Sequence, residues 1–403
     1  MRAAWVPLTM LIGMPGLAMA CLWDYDTIKM ERARFPSTLE LITGKFLRHS
    51  PEFYHWRIAD RLKKLEADST NPALLDDLAV AYDKTGQHEK AIEIAKKTEH
   101  LYPGRYETAA NLGTFYFHAG RLEEGLPHIE RALRINPNAH FGREQYQKLL
   151  VEYVLSRRVE GNTRLPLMSI IPHQHLASTL TANDFGYEKG FADFLARKAR
   201  ESTSNTLVES QRADAIKGIL GMMKFGNHAS PVLLEALGSL LANNSTAPTQ
   251  DAKMLAARAY LKASYEVADE SARQDYRRLA EKVLMMQTIR PNSMTQLTLD
   301  QVEREFQKEL NEAHQWYAEL RERELSWIRD GKDPEVEFDR LYIEEPHVSG
   351  LEHDEALTLL KLLDCIGRSI AAVGVVVMVA GLGLMLGYLR YRKIRHGGQD
   401  MVR

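Results

Sequence analysis

Two carboxylates, Asp24 and Asp26, stand one residue apart in the stretch CLWDYD. Paired acids can divide the work of general acid and general base, or take up a cation. The plainer alternative is a cap for the helix that TIKMERARF would begin. A second constellation is His173-Gln174-His175, because alternate residues of an extended loop can both face one metal ion. No carboxylate or thiol stands near it in sequence, which favours a solvated loop pair. A third, HSPEFYHWR, gathers His49, His55, Trp56 and Arg57 densely enough for a binding patch, and packing or exposure accounts for it equally well.

The stronger catalytic signatures are missing. Gly44-Lys45 has neither the glycine five residues earlier nor the following Ser or Thr of a phosphate-binding loop. His88-Glu89 starts like a zinc-protease helix, yet the residue four beyond His88 is Ile92. There is no G-x-S-x-G, no C-x-x-C and no haem-attachment C-x-x-C-H. No catalytic residue, metal ligand or cofactor is therefore expected. The 52 basic and 54 acidic side chains nearly cancel, so no global field draws the chain to nucleic acid.

The elements that would position these residues read as helices, and two stretches repeat. The segment from Asn71 superposes on the segment from Arg105 at a shift of 34 residues. Leu78 matches Leu112, Ala79 matches Gly113, Tyr82 matches Tyr116, Gly86 matches Gly120 and Pro103 matches Pro137. Small Ala79 and Gly113 would let the second helix of a pair approach the first. The tyrosines would fill the space between pairs, the glycines would make the turns and the prolines would end the second helices. Gly125 and Pro127 make the second copy imperfect. This pattern resembles the tetratricopeptide repeat, a 34-residue helix–turn–helix unit.

The resemblance implies a concave groove lined by the first helices of each pair. Here that groove would hold Asp76, Val80, Asp83 and Lys84, then Glu107, Ala110, Thr114, Phe117 and His118. The family's Lys and Asn carboxylate clamp is not reproduced, since Asp76 and Val80 occupy those places. Phe117 would be the one large apolar anchor, and the mixed lining suits a protein segment with polar and apolar side chains.

Two repeats need caps to bury a continuous core. Before them, a helix is expected from Ser50 as N-cap and Pro51 at the first helical position, with Tyr54, Ile58, Leu62 and Leu65 on one face. After them, FGREQYQKLLVEYVLSRR extends the stack, and GNTRLPLMSIIPHQHL reads as a linker. Helices continue past Ser210, and LDQVEREFQKELNEAHQWYAELRERELSWIRDG makes one long helix. Its apolar residues recur at threes, fours and sevens, as in a coiled-coil stalk, but Trp316, Tyr317 and Trp327 favour packing on the solenoid. A polar loop follows.

The two ends carry apolar segments. MRAAWVPLTMLIGMPGLAMA has a short apolar core and a small-x-small site at Ala18-Met19-Ala20, predicting a signal peptide cut before Cys21 rather than an uncleaved anchor. Ala18 and Met19 make a poor lipobox for Cys21. Cys21 and Cys365 could bridge, Cys365 could pair with its own copy, or both could be idle. Residues 369–389 carry no charge and precede Arg390, Arg392, Lys393 and Arg395, predicting one transmembrane helix with a cytoplasmic C-terminus. Ala380, Gly383 and Gly387 share one of its faces, a spacing that allows helix–helix contact and a homo-oligomer.

The expected organisation is all-α. It comprises a signal peptide (1–20), helical cap (21–70), tetratricopeptide-like solenoid (71–160), linker (161–205) and second helical domain (206–290). A long amphipathic helix and loop (291–345), juxtamembrane segment (346–368), transmembrane helix (369–389) and basic tail (390–403) follow. The expected protein is a bacterial, membrane-embedded scaffold, its bulk periplasmic or extracellular, that holds an unidentified protein partner. The rival expectation is an enzyme or a ligand- or metal-binding receptor with its site in the second helical domain, the repeats serving as a docking platform.

Overall fold

The computed structural model describes residues 22, 24, 35–137, 142–168, 190–199, 207–242, 250–285 and 297–342. Its helices begin where the sequence supplies caps. In α1 (Thr38–Thr43), Ser37 and Glu40 form a capping box, and Gly44 ends the helix at φ +83°. Ser50 caps α2 (Pro51–Ala67) by accepting from the Phe53 amide, with Pro51 at the first position. Asn71 caps α3 (Pro72–Lys84) in the same manner.

The repeats follow as two helix pairs, α3 with α4 (His88–Leu101) and α5 (Tyr106–His118) with α6 (Leu122–Ile135). Both turns pass through a glycine at φ +76°, Gly86 and Gly120, where an L side chain would be strained. Pro103 and Pro137 lie just beyond the ends of α4 and α6. Gly125 is no imperfection: a Cβ there would lie 2.7 Å from the Gly113 carbonyl oxygen, and one on Gly113 would lie 2.4 Å from Ile129. The two glycines face each other where α5 and α6 touch. Pro127 sits inside α6 without ending it.

Helices α7 (Arg143–Ser156), α8 (Phe191–Lys198), α9 (Glu209–Met222, continued by a π-turn Met223–Asn227), α10 (Pro231–Ala242), α11 (Gln250–Glu266) and α12 (Glu270–Met285) extend the stack. The long helix α13 (Leu299–Arg329) starts at a Thr298–Gln301 capping box and returns against α1, α2, α11 and α12. It is a packed helix: Val302, Phe306, Leu310, Ala313, Leu320 and Trp327 are buried. Arg258 holds Glu309 through two 2.7 Å bonds. Among the described residues no strand forms; Val159 and Asn162 make one isolated bridge.

Several expectations need correction. The buried stripe of α2 is Phe53, Arg57 and Arg61, not the Tyr54–Leu62 face, and Leu62 is 47% exposed. Ion pairs explain the displacement. Arg57 meets Asp24 at 3.1 Å and Glu335 at 2.7 Å; Arg61 meets Asp77 at 2.9 Å and Glu335 at 2.5 Å. The stretch read as a polar loop contains α14 (Pro334–Tyr342), capped by Asp333 and seated through buried Phe338. The supposed linker contributes α8, and Leu167 and Met168 are buried. One continuous apolar core joins Leu41, Phe117 and Ile129 to α9–α13, so no packing boundary separates the repeats from the later helices. All the described residues belong to one unit, Met1–Glu344.

The single-pass membrane placement does not stand either. Among the described residues no helix is long and apolar enough to cross a membrane. The longest, α13, has the length, but its outer faces carry Arg, Lys and Glu. Residues 1–20, Cys21, Asp26, His173, His175, Cys365 and the segment 369–389 with Ala380, Gly383 and Gly387 lie outside the described residues.

Candidate functional site: the inner face of the repeats

None of the nine groove positions is an exposed surface residue. Val80 packs with Leu22 and Leu112, and Ala110 packs with Tyr106 and Ala132. Thr114 accepts a 3.0 Å bond from buried Gln147 on α7. Asp76 pairs with Arg105 at 2.8 Å. Burial pushes its carboxyl up to about 7 against the pull of that guanidinium. Glu107 lies 3.5 Å from the same arginine.

Phe117 is 0% exposed, its ring filling the space that a Cβ on Gly125 would need. It is a core residue of the repeat, not an anchor open to a partner. Lys84 donates to the carbonyls of Phe225 and Gly226, at 2.6 and 3.0 Å, so the π-turn covers this end of the inner face. Asp83 accepts from His88 Nδ1 at 2.8 Å and from His118 Nδ1 at 2.7 Å. The chain itself occupies the groove that a partner segment would fill in an open solenoid.

A cavity of about 200 Å³ lies beside Lys84, walled by the α1–α2 connection, the π-turn and α13. Arg48, Lys84 and Lys224 bring cationic groups to it, and Tyr54, Phe225 and Tyr317 supply aromatic surface. Arg48 donates to the Gly44 and Phe46 carbonyls and lies 3.6 Å from the centre of the Tyr317 ring. No carboxylate pairs with it among the described residues, and burial lowers its guanidinium to about 10. His228 is held well below its ordinary range by burial first and then by Arg48, Lys262, Lys84 and His314, so it lines the cavity as a neutral ring.

Asp24 also lines the cavity. Asp24 pairs with Arg57, and Glu324 accepts from His49 at 2.6 Å and from the Ser50 amide at 2.8 Å. Arg48, with no carboxylate partner among the described residues, and the aromatic walls make the cavity a setting for an anionic side chain carried on an apolar segment. Of the HSPEFYHWR patch, His49 and Arg57 are buried structural ion-pair partners, while His55 is exposed. Sequence reasoning missed Arg48, Lys224, His228 and Tyr317, which come from separate elements and share no local spacing.

The Tetratricopeptide repeat family profile matches residues 106–139, the α5–α6 pair and the residues just after it. The chain carries a tetratricopeptide repeat. It is also 26% identical over 76 residues to the Small glutamine-rich tetratricopeptide repeat-containing protein 2 of Mycosarcoma maydis, covering 19% of this chain and 22% of that protein. The chain thus spans about a fifth of the length of the curated relative it matches. No solved structure matches. The repeat likeness points to a protein–protein interaction scaffold.

Proposed function

We propose that the protein is a tetratricopeptide-type scaffold that engages a partner protein at the cationic, aromatic-walled cavity beside Lys84, and not along the filled inner face of α3 and α5. The observation that carries this reading is that Arg48, which pairs with no carboxylate among the described residues, lines one cavity together with Lys84, Lys224, Tyr54 and Tyr317. The partner segment presents an aspartate or glutamate flanked by apolar side chains. The carboxylate meets Arg48, and the apolar neighbours rest on Tyr54 and Tyr317. Recognition by a few buried anchors in a small pocket is how most interface free energy is concentrated.

Peptide display on the purified full chain tests this directly. The expected result is enrichment of acidic-plus-apolar sequences on wild type, with affinity reduced about ten-fold by Lys224→Glu, equivalent to ~1.4 kcal/mol of lost charge attraction. Enriched peptides without an acidic preference, or held equally by Lys224→Glu, would remove the cavity from the function.

A further inference from the structure

We infer that Asp83, His88 and His118 form a binding site for a borderline divalent transition-metal ion, Zn²⁺ or its Co²⁺ and Ni²⁺ analogues, that clamps the first repeat to the second. The three side chains come from three helix ends: Asp83 near the end of α3, His88 at the start of α4 and His118 at the end of α5. The Gly86 turn brings His88 back beside Asp83, and repeat stacking delivers His118 from the other side. The repeat itself does not dictate this set. At the 34-residue shift, Asp83 corresponds to Phe117, and His88 to Leu122.

One potential ligand atom from each residue lies within 4.8 Å of the other two. The Asp83 oxygens are 2.8 and 2.7 Å from the two Nδ1 atoms, and the imidazole centres are 5.7 Å apart at 63°. A tetrahedral ion with bonds of about 2.0–2.1 Å needs its ligands about 3.3 Å apart. Opening the Asp–His gaps by about half an ångström and drawing the two rings together reaches that spacing by side-chain rotation. Two imidazoles with one carboxylate suit Zn²⁺, Co²⁺ and Ni²⁺, while Ca²⁺ and Mg²⁺ ask for oxygens.

A second observation separates this trio from an ordinary Asp–His ion pair. His118 Nε2 is buried and has no hydrogen-bond partner. Buried ring nitrogens ordinarily have one. The ring is therefore held from the Asp83 side alone and can turn a nitrogen lone pair to an ion. Access and the remaining coordination positions lie on the His88 side, whose side chain is 30% exposed against 1% for Asp83 and 8% for His118. On binding, each coordinating nitrogen gives up or relocates its proton while Asp83 stays ionised; no redox step is involved. Glu89 adds negative charge beside His88, and Arg121 pairs with Glu89 at the rim.

The test uses the full chain stripped with chelator and titrated with Co²⁺. The expected result is a visible d–d absorption band of four-coordinate intensity, saturating at stoichiometric metal, in wild type. At a hundred-fold excess over Kd, Tm rises by ~3–4 °C. His88→Gln, a half-exposed position, abolishes both effects while its circular dichroism is unchanged. His88→Cys restores binding and adds a thiolate charge-transfer band, so the site is identified even if a second variant, Asp83→Asn, fails to fold. No band in wild type overturns the inference. So does a band that survives His88→Gln undiminished, because the ion then sits elsewhere.

Discussion

Gly125→Ala is the sharpest test of how the repeats are built. In an isolated helix the change is favourable by about 1 kcal/mol, because alanine is a better helix former than glycine. In α6 the new methyl would lie 2.4 Å from the Phe117 ring and 2.7 Å from the Gly113 carbonyl oxygen. Unstrained contacts with carbon sit near 3.5–4.0 Å, so about an ångström must be found. Phe117 is fully buried and cannot swing away, and the Gly113 carbonyl is backbone. Relief therefore requires α5 and α6 to separate, at the upper end of the ~1–3 kcal/mol that overpacking costs. Net of the propensity gain, the loss is about 2 kcal/mol, or a Tm drop of ~2–4 °C. Thermal denaturation of wild type, Gly125→Ala, Phe117→Leu and the double variant measures it. The double variant recovers part of the loss, since leucine removes the ring contact but leaves the carbonyl contact, with a coupling of at least ~0.5 kcal/mol. A Gly125→Ala protein as stable as wild type would refute the close approach of these helices.

Further predictions follow from the buried charges. Glu335→Gln leaves Arg57 and Arg61 without the carboxylate both share, and the loss is ~3 kcal/mol, seen as a lowered urea midpoint; an unchanged midpoint would mean that α14 is not held by these pairs. Glu235 is fully buried and accepts from the Leu167 and Met168 amides and the Tyr276 hydroxyl; burial pushes its carboxyl from 4.5 up to about 7. A raised folded value means this stabilisation is complete below about pH 4.5 and is lost as pH rises through about 7. The wild-type stability curve should therefore fall over that window by ~3 kcal/mol more than that of Glu235→Gln, and parallel curves would assign the slope to other groups.

The sequence carried the repeats because their information is local. A 34-residue shift aligns Leu78, Tyr82 and Gly86 with Leu112, Tyr116 and Gly120, and the glycine turns and N-caps depend on residues within a few positions of one another. The face of α2 was not legible, because its buried stripe contains Arg57 and Arg61, whose partners Asp24, Asp77 and Glu335 come from three other places in the chain. The same pairs hide α14 inside a polar stretch: Phe338 and the partnered Glu335 seat it, and neither stands out in composition. The groove was misjudged for a related reason. Its residues are those expected on an inner face, but nothing near Lys84 or Thr114 announces that Phe225, Gly226 and Gln147 will cover them.

The central claim is that the inner face of the repeats is filled by the chain's own later helices, leaving the Arg48–Lys84–Lys224 cavity as the place for a partner. Hydroxyl-radical footprinting of the native full chain measures this at single residues. The account predicts that Met223, 0% exposed on the π-turn that covers the inner face, is protected to the level of the core, while Phe35, 43% exposed, is labelled readily. Labelling of Met223 at the rate of an exposed methionine would show an open groove and contradict the account.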